Sequence, residues 1–483
     1  MKKVRKRKGV RICITAGIVI AGICGLLIGV QALGMVPGIG SESVVVDTGN
    51  IVGQMKAVNG INNGPKSGYQ EVNGEDTWEL DASEIYEELD IPMVRVHDAE
   101  YPYGQDKFVD IHCIFPDFSR DPEDADAYNF QYTDKYIAEI VESGAQVFFR
   151  LGESIDHSGR DLYINPPEDY EKWARICEHI IRHYNQGWAD GFHYGIQYWE
   201  IWNEPDNSNM WTGALEEYFE LYRVTARYLK QQFPDIKIGG YGSGECSKED
   251  VEDFLKYLSA DGEKTPLDFF SWHTYTQDPK RYTEYGNNLR SILDENGYQD
   301  TEVILGEWNY VKSWDEIEES GRLIQSAQGA AFTAASLICI QNSASDIAMY
   351  YDGQFVSGEA VWCGLYGENA EKRPGYYAFQ FFDRLYDLGK QVKAEETADS
   401  LYCCAAADGK GNYGILLANF NAEEETPVYI SLKLQGGGKH VKITRVSENH
   451  PNGDTEEHWW LWNRGNLRIE PGELLYIEGN TQQ

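Results

Sequence analysis

Two glutamates, Glu204 and Glu307, each end an apolar run of the sequence, "YWEIWNE" and "VILGE". Short apolar runs predict buried strands, so both acids stand where a strand leaves the core. A pair of carboxyl groups across a pocket is the minimum equipment for cleaving a glycosidic bond, because one protonates the leaving oxygen and the other attacks the anomeric carbon. The two glutamates are far apart in the chain, so this chemistry requires a fold that gathers strand ends.

Eight apolar runs alternate with amphipathic, helix-like stretches between residues 55 and 352. Alternating strands and helices predict a parallel α/β sheet, and eight such units predict a (β/α)8 TIM barrel, which we assign to residues 50–390. The predicted strands are 55–60, 93–98, 146–152, 198–204, 237–242, 269–275, 303–308 and 347–352.

The carboxyl ends of these eight runs are rich in side chains that can do chemistry. A barrel would bring all of them to one face, where enzymes of this fold place their sites. They are Asn59, His97 with Asp98, Arg150, Asn203 with Glu204, Tyr241, His273 with Tyr275, Glu307 with Trp308, and Asp352.

The composition changes near residue 390, and residues 391–483 read as short strands separated by turn signals such as Gly-Gly-Gly. This pattern predicts a C-terminal antiparallel β-sandwich. The run "SVVVDTG" at 43–49 lies outside the eight barrel strands and is a further strand that can pair with this module.

The N-terminus has a charge pattern of its own. Residues 1–11 contain seven Lys or Arg and no acid, and residues 12–35 contain no charge. A helix of this length spans about 36 Å, enough for a hydrocarbon core of about 30 Å, and the basic end should stay in the cytoplasm. We expect a basic cytoplasmic tail and a single-pass transmembrane anchor, with the catalytic domain outside the cytoplasm. A cleaved signal peptide, which would leave a secreted protein, is the alternative.

The formal net charge of −36 disfavours nucleic acid and anionic membrane surfaces as partners and favours a neutral substrate. The nine cysteines form no CxxC pair and no framework spacing, so we expect buried thiols and not a metal site or disulfide scaffold. His179 and His183 are four residues apart but lack an HExxH context, so neither metal nor cofactor is expected. The sequence leaves the oligomeric state open.

Three motifs, "WEIWNEPD", "SWHTY" and "GEWNY", together resemble clan A glycoside hydrolases, most closely family 39, which includes β-xylosidases and α-L-iduronidases. "RVHD" at 95–98 and the helix-like stretch at 371–389 resemble further elements of that family, and the likeness runs over roughly residues 50–480.

The resemblance implies a role for each matching residue. Glu204 corresponds to the general acid/base, Glu307 to the nucleophile and Asn203 to the residue that binds the sugar 2-hydroxyl. The substrate-contacting residues are expected to be His97, His273, Tyr275, Trp308 and Asp352.

The expected function is that of a retaining, exo-acting, β-xylosidase-like glycoside hydrolase, with its two carboxyl groups about 5–5.5 Å apart. The residues leave open other clan A specificities: arabinofuranosidase, β-galactosidase, β-glucosidase or an iduronidase-like activity. They also leave open a non-catalytic cell-surface carbohydrate-binding protein. The presence of both glutamates argues against a catalytically inactive barrel.

Overall fold

The computed structural model describes residues 42–99, 107–155, 163–354, 362–422, 426–460 and 464–482. Strands are numbered β1 to β19 and helices α1 to α10 in chain order. Eight parallel strands form a closed barrel, which confirms the predicted barrel. In chain order they are β2 (Gly60–Asn62), β5 (Met93–Val96), β6 (Gln146–Leu151), β7 (Tyr198–Ile201), β8 (Lys237–Ser243), β9 (Phe269–Thr276), β10 (Glu302–Tyr310) and β11 (Ile347–Tyr350).

The first barrel strand differs from its prediction. The sequence placed it at 55–60, whereas the structure begins β2 at Gly60. A Cβ on Gly60 would lie 2.9 Å from the Ala348 carbonyl oxygen, so glycine lets β2 and its neighbour β11 approach closely. Asn59 therefore precedes the strand, and Asn62 and Asn63 stand at its carboxyl end.

Ten helices accompany the strands in the described ranges, most of them on the outside of the barrel. In α4 (Tyr170–Gln186) the Asp169 side chain caps the first turn by accepting a hydrogen bond from the Lys172 backbone, and Gly187 ends the helix with φ +73°. The helices are α1 (Ser83–Glu88), α2 (Ile111–Ile114), α3 (Gln131–Glu142), α4 (Tyr170–Gln186), α5 (Leu215–Gln232), α6 (Lys248–Ser259), α7 (Lys280–Glu295), α8 (Ile317–Ile324), α9 (Ala327–Gln341) and α10 (Pro374–Leu388).

The C-terminal module is a single nine-stranded sheet that curls around a core of its own. β1 (Glu42–Gln54) belongs to it, antiparallel to β12 (Lys390–Glu396) and parallel to β15 (Val428–Gln435). Every other pair in the sheet is antiparallel. The remaining strands are β12 (Lys390–Glu396), β13 (Leu401–Ala407), β14 (Asn412–Asn419), β15 (Val428–Gln435), β16 (His440–Ser447), β17 (His450–Trp459), β18 (Arg464–Ile469) and β19 (Leu474–Asn480). A separate hairpin joins β3 (Lys66–Val72) to β4 (Glu75–Asp81).

The barrel and the curled sheet share an apolar boundary. Helix α9 is buried almost all round because it contacts β10 of the barrel on one side and β13 and β14 of the sheet on the other. Within β13, Cys403 faces the core of the curled sheet and Cys404 faces the barrel-side core, as expected for neighbours in a strand.

The predicted tail and anchor, residues 1–11 and 12–35, lie outside the described residues. Within the described ranges, no single helix has the length and apolar character to cross a membrane, and only one sharply bent pair, Trp314–Ile324 with Ala327–Gln341, does so by length and composition.

Candidate active site

The two predicted glutamates meet at the carboxyl face of the barrel. One carboxylate oxygen of Glu204 lies within 4.8 Å of one of Glu307, and a ring nitrogen of His273 lies within the same distance of both. Both glutamates are buried, with 8% and 4% of their surface exposed. This close approach is typical of retaining glycosidases, whose carboxyl groups lie about 5–5.5 Å apart, and not of inverting ones, in which they lie about 6.5–9.5 Å apart.

A strained turn after β7 aims Glu204 into the pocket. Trp202 has φ +73° and Glu204 has φ +43°, which is the left-handed region that non-glycine residues avoid. The turn is held because the Glu204 backbone donates to the Gly242 carbonyl at 2.9 Å and the Trp202 indole donates to the Met210 carbonyl at 2.9 Å. Such strain persists only where the surroundings enforce it, and here it turns the carboxyl group across the barrel mouth.

His273, on β9, links the two carboxylates. Its Nδ1 is 2.8 Å from Oε1 of Glu204 and 3.6 Å from Oε1 of Glu307. Burial lowers the pKa of His273, but the charge of Glu307 and the hydrogen bond to Glu204 outweigh it, so the pKa of His273 is raised above its usual value. The imidazole therefore keeps its proton between the two acids more readily than a free histidine would.

Glu307 accepts hydrogen bonds on both of its oxygens. Nη1 of Arg95 donates to Oε1 at 2.9 Å, and the Tyr275 hydroxyl donates to Oε2 at 2.7 Å. Nε2 of His97 lies 3.5 Å from Oε1. The carboxylate is held in a fixed orientation by a cation and a hydroxyl, as an attacking nucleophile requires.

Arg95, on β5, is the centre of this network although it is fully buried. It contacts Glu200 at 2.7 Å, Asn62 at 3.0 Å and the Asn203 amide oxygen at 2.7 Å, besides Glu307. Burial lowers the pKa of Arg95, but Glu200 and Glu307 more than compensate and raise it. The guanidinium fork matches these separate acceptors in one plane, which a lysine ammonium cannot do.

Arg95, Glu200 and Asn62 belong to the site although no role was predicted for them from the sequence. A usable signal was present, because Arg95 and Glu200 are charges inside apolar runs that predict buried strands. Buried charges are rarely found without partners. An Arg and a Glu inside two buried strands of one barrel therefore predict an ion pair between them.

Asn203 is held by both ends of its amide. Its oxygen accepts from Arg95, and its Nδ2 lies 3.0 Å from the Met210 sulfur. Asn203 is therefore a neighbour of Arg95 and of Glu204, in the position expected for a residue beside the catalytic pair.

A second polar cluster gathers at the ends of β2, β5 and β11, on the His97 side of Glu307. Nδ2 of Asn63 donates to Asp98 at 2.8 Å and to Asp352 at 3.2 Å, and the Tyr351 hydroxyl donates to Asp98 at 3.0 Å. Asp352, predicted as a sugar contact, thus joins the site through Asn63. Asn63, Asp98 and Tyr351 are further members of the site that were not predicted as substrate contacts.

The two aspartates of this cluster differ in protonation. Burial raises the pKa of Asp352 and the negative charge of Asp98 adds to it, so the pKa of Asp352 lies well above its usual value. Burial opposes ionisation of Asp98 too, but His97, Lys107 and the hydrogen bonds from Asn63 and Tyr351 hold its pKa below the usual range. Asp98 therefore ionises at a lower pH than Asp352, which keeps its proton longer as the pH rises.

His97 is a neutral imidazole over most of the pH range. Burial lowers the pKa of His97 to about 3, despite the neighbouring Asp98. Within the described residues its Nδ1 has no hydrogen-bond partner. A neutral ring with a spare polar atom is suited to binding a hydroxyl group.

Trp308 does not belong to the site, which corrects the prediction from sequence. It is fully buried on the outside of β10, where its ring contacts Tyr282 at 5.7 Å and Tyr350 at 5.2 Å. Successive side chains of a strand face opposite sides, so a pocket-facing Glu307 requires an outward-facing Trp308. Asn59 is also a core residue, and its side-chain amide is buried without a partner in the described residues.

Aromatic rings form the rim beside Glu307. The Tyr275 ring lies 5.3 Å from Trp314, 5.7 Å from Trp362 and 6.2 Å from Tyr351. Trp314 is 64% exposed, an unusual fraction for tryptophan. Exposed rings beside a carboxylate pair are the surfaces on which sugar rings stack.

The barrel, the carboxylate separation and the buried donors define a glycosidase of the two-carboxylate class. The chain belongs to the glycosyl hydrolases of family 39, whose model matches residues 66–462.

Named relatives agree with this assignment. A β-xylosidase of Geobacillus stearothermophilus is 25% identical over 317 residues, which are 57% of this chain and 60% of that protein. A β-xylosidase of Caldicellulosiruptor saccharolyticus is 22% identical over 370 residues, 68% of this chain and 71% of the relative. A glucosidase from Croceicoccus marinus has the same fold, with a TM-score of 0.71, 22% identity, and coverage of 92% of this chain and 99% of its own.

Proposed function

We propose that this protein is a retaining, exo-acting β-xylosidase-like enzyme. The observation that carries the proposal is the approach of the Glu204 and Glu307 oxygens to within 4.8 Å, each in a different hydrogen-bonding environment. The two relatives that are β-xylosidases support the choice of sugar.

In the proposed reaction, Glu307 attacks the anomeric carbon while Glu204 gives its proton to the leaving oxygen. The ionised Glu204 then accepts a hydrogen bond from Nδ1 of His273, which lies 2.8 Å from its Oε1. Water attacks the anomeric carbon of the glycosyl-enzyme ester from the side that the leaving group vacated, and Glu204 takes a proton from this water as the base. The bond to Glu307 breaks, Glu204 regains its acid form, and the anomeric configuration is retained.

The sugar that is cleaved off would occupy the side of Glu307 where His97, Asp98 and Asp352 converge. These groups offer a neutral imidazole, an acid whose pKa is lowered and an acid whose pKa is raised, all within a buried region. Hydroxyl groups are both donors and acceptors, so this mixture suits a neutral sugar and not a uronic acid. The net charge of −36 points the same way.

The apolar run at 12–35 supports a location outside the cytoplasm, attached to the membrane by a single N-terminal span or released after cleavage. Membrane association of the full chain that withstands high salt and alkaline carbonate, is released by detergent, and is lost on deletion of residues 1–41 is the result expected for the anchor. Full recovery of the intact chain in the soluble cytoplasmic fraction would contradict this location.

The decisive test of the function is a panel of aryl glycosides with the full chain. We expect the highest kcat/KM on the aryl β-xyloside, with the β-anomer of the sugar as the first product by NMR. An α-anomer as first product would contradict the retaining mechanism, and a stronger activity on another glycoside would replace the proposed sugar. No turnover of any member of the panel, with a folded protein, would favour a carbohydrate-binding protein.

A further inference from the structure

Three carboxyl groups meet outside the catalytic site, where the turn before β5 runs beside the end of helix α10. One oxygen each of Asp90, Asp383 and Asp387 lies within 4.8 Å of the other two. Asp90 stands three residues before the first residue of β5, so the cluster lies at the amino face of the barrel. The catalytic glutamates lie at the opposite, carboxyl face.

Asp383 is the buried member of this cluster. It is 6% exposed and is the only acid among the buried residues of α10, where its neighbours in the chain include Phe379 and Phe382. Its Oδ1 is closed off from solvent and has no hydrogen-bond partner within the described residues. Buried carboxyl groups without a donor are rare in native proteins, so this oxygen requires either a bound cation or a proton on the acid itself.

No basic side chain of the described residues neutralises the three acids. None of the three carboxyl groups forms a hydrogen bond or an ion pair there. Arg384 follows Asp383 in the chain, but its guanidinium lies over the rings of Phe381 and Tyr476, 6.0 Å and 5.4 Å from their centres. Three carboxylates this close repel each other, so a cation between them would stabilise their ionised forms.

The three oxygen donors favour one kind of cation. Carboxylate oxygens are the preferred ligands of Ca²⁺ and Mg²⁺, whereas Zn²⁺ is usually bound by histidine and cysteine. Mg²⁺ requires a regular octahedron at about 2.0–2.1 Å, but Ca²⁺ accepts six to eight oxygens, water included, at about 2.3–2.6 Å. Oxygens up to 4.8 Å apart fit around one Ca²⁺, because two ligands on opposite sides of the ion are about 5 Å apart.

We propose that Asp90, Asp383 and Asp387 bind a Ca²⁺ ion that ties the turn before β5 to helix α10. The site differs from the metal-free expectation drawn from the cysteines and histidines, because its ligands come from two distant parts of the chain. Helix α10 also packs on β13 and β14 of the curled sheet, so the ion stabilises the region where barrel and sheet meet. It takes no part in sugar cleavage and does not depend on the proposed function.

Thermal unfolding of the full chain in Ca²⁺ and in EDTA, at equal ionic strength set with NaCl, tests the site. Calcium sites of extracellular modules have dissociation constants of about 10⁻⁴ to 10⁻³ M, and titration calorimetry should give a value in this range. About 10 mM Ca²⁺ should then raise the thermal midpoint of the wild type by about 1–3 °C.

The asparagine variants Asp90→Asn, Asp383→Asn and Asp387→Asn should each lose most of this rise and bind Ca²⁺ at least about tenfold more weakly, because each removes one charged ligand. Glu84→Gln is the matched control, since Glu84 is an exposed acid of α1 outside the cluster and its substitution removes the same charge. It should keep the full rise and the wild-type affinity.

The buried acid gives a second readout. In EDTA at pH 8 the amide of Asp383→Asn removes the repulsion, so this variant should unfold at a higher temperature than the wild type. In Ca²⁺ that difference should narrow by the rise of the wild type. The pH dependence of stability expected for Asp383 therefore belongs to the cation-free protein.

Three outcomes would overturn the proposal. One is the absence of both a rise and a heat of binding in the wild type, which would leave Asp383 neutralised by a proton. The second is a rise of equal size in the wild type and the three asparagine variants, which would place the ion elsewhere. The third is a loss of the rise in Glu84→Gln as large as in the cluster variants. Asp90 and Asp387 are exposed, so their variants keep the packing of the core and remain informative if Asp383→Asn does not fold.

Discussion

Nη1 of Arg95 donates a hydrogen bond to Oε1 of Glu307 at 2.9 Å, and the guanidinium is fully buried. The same fork contacts Glu200 and Asn203, so one side chain orients the proposed nucleophile and the residue next to the acid. Breaking a buried ion pair of this kind is strongly destabilising, because the remaining charge is left buried without an opposite charge beside it.

Arg95→Lys should remove most of the activity while keeping the charge. A single ammonium group cannot reach Glu307, Glu200 and Asn203 together, so we expect kcat/KM to fall by about 10² to 10³. Circular dichroism and the thermal midpoint check that the variant is folded. Activity within about threefold of the wild type would show that the fork geometry is not required.

Glu307→Ala should abolish turnover, because no group remains to form the glycosyl-enzyme ester. We expect kcat on an activated aryl glycoside to fall by at least about 10⁴. Sodium azide should restore activity and give a glycosyl azide of inverted configuration, identified by NMR.

Glu302→Ala is the control for Glu307, since it lies at the opposite end of β10 and pairs with Lys237 at 2.6 Å. It should remain active without azide. Residual activity of Glu307→Ala without azide comparable to that of Glu302→Ala would refute the assignment of the nucleophile.

Glu204→Gln should affect substrates according to their leaving groups. A poor leaving group needs the proton, so kcat for an alkyl glycoside should fall by about 10² to 10⁴, whereas formation of the ester from a dinitrophenyl glycoside should change little. Pre-steady-state bursts separate the two steps. Equal losses in the first step for both substrates would remove the acid role from Glu204.

Asp98 and Asp352 should respond differently to the same neutral substitution. Burial and Asp98 raise the pKa of Asp352, so Asp352→Asn should disturb the charge of the cluster little and keep kcat/KM within about tenfold of the wild type. Asp98 ionises more readily and accepts hydrogen bonds from Asn63 and Tyr351, so Asp98→Asn should lower kcat/KM by more than about tenfold. The reverse ranking, measured on the preferred aryl glycoside at constant pH, would contradict the order of the two pKa values.

Asp383, on α10, provides a pH-dependent prediction away from the site. Burial and the nearby Asp387 and Asp90 raise the pKa of Asp383 from 3.8 to about 7. As the pH rises from about 4 to about 7, the unfolded chain loses this proton before the folded one, so the free energy of unfolding falls across that window.

Asp383→Asn should remove the loss of stability that ionisation of Asp383 causes at high pH. We expect stabilisation on the order of 1 kcal/mol at pH 8 and little change at about pH 3, below the unfolded pKa of 3.8, where both states are mostly protonated. Thermal midpoints of the two proteins across this range provide the measurement. Equal shifts at about pH 3 and pH 8 would show that packing and not ionisation is responsible.

The sequence alone determined the barrel, the position of seven of its strands within a few residues, and the two glutamates at strand ends. These features are local, because strand periodicity, helix caps and strand-end acids depend only on residues that are close together in the sequence. The predicted position of the first strand was wrong because β2 is only three residues long and begins at a glycine. A pattern this short does not locate a strand.

Only the tertiary structure decided which strand-end residues share a site. It turned Trp308 away from Glu307, brought Arg95 and Glu200 together at 2.7 Å, and joined Asn63 to Asp98 and Asp352. These contacts link residues from different strands, so they depend on barrel register and on which way each side chain faces. A shift of one residue in register turns each side chain to the opposite face of the strand. The register depends on the neighbouring strands, so the sequence of a single strand does not specify it.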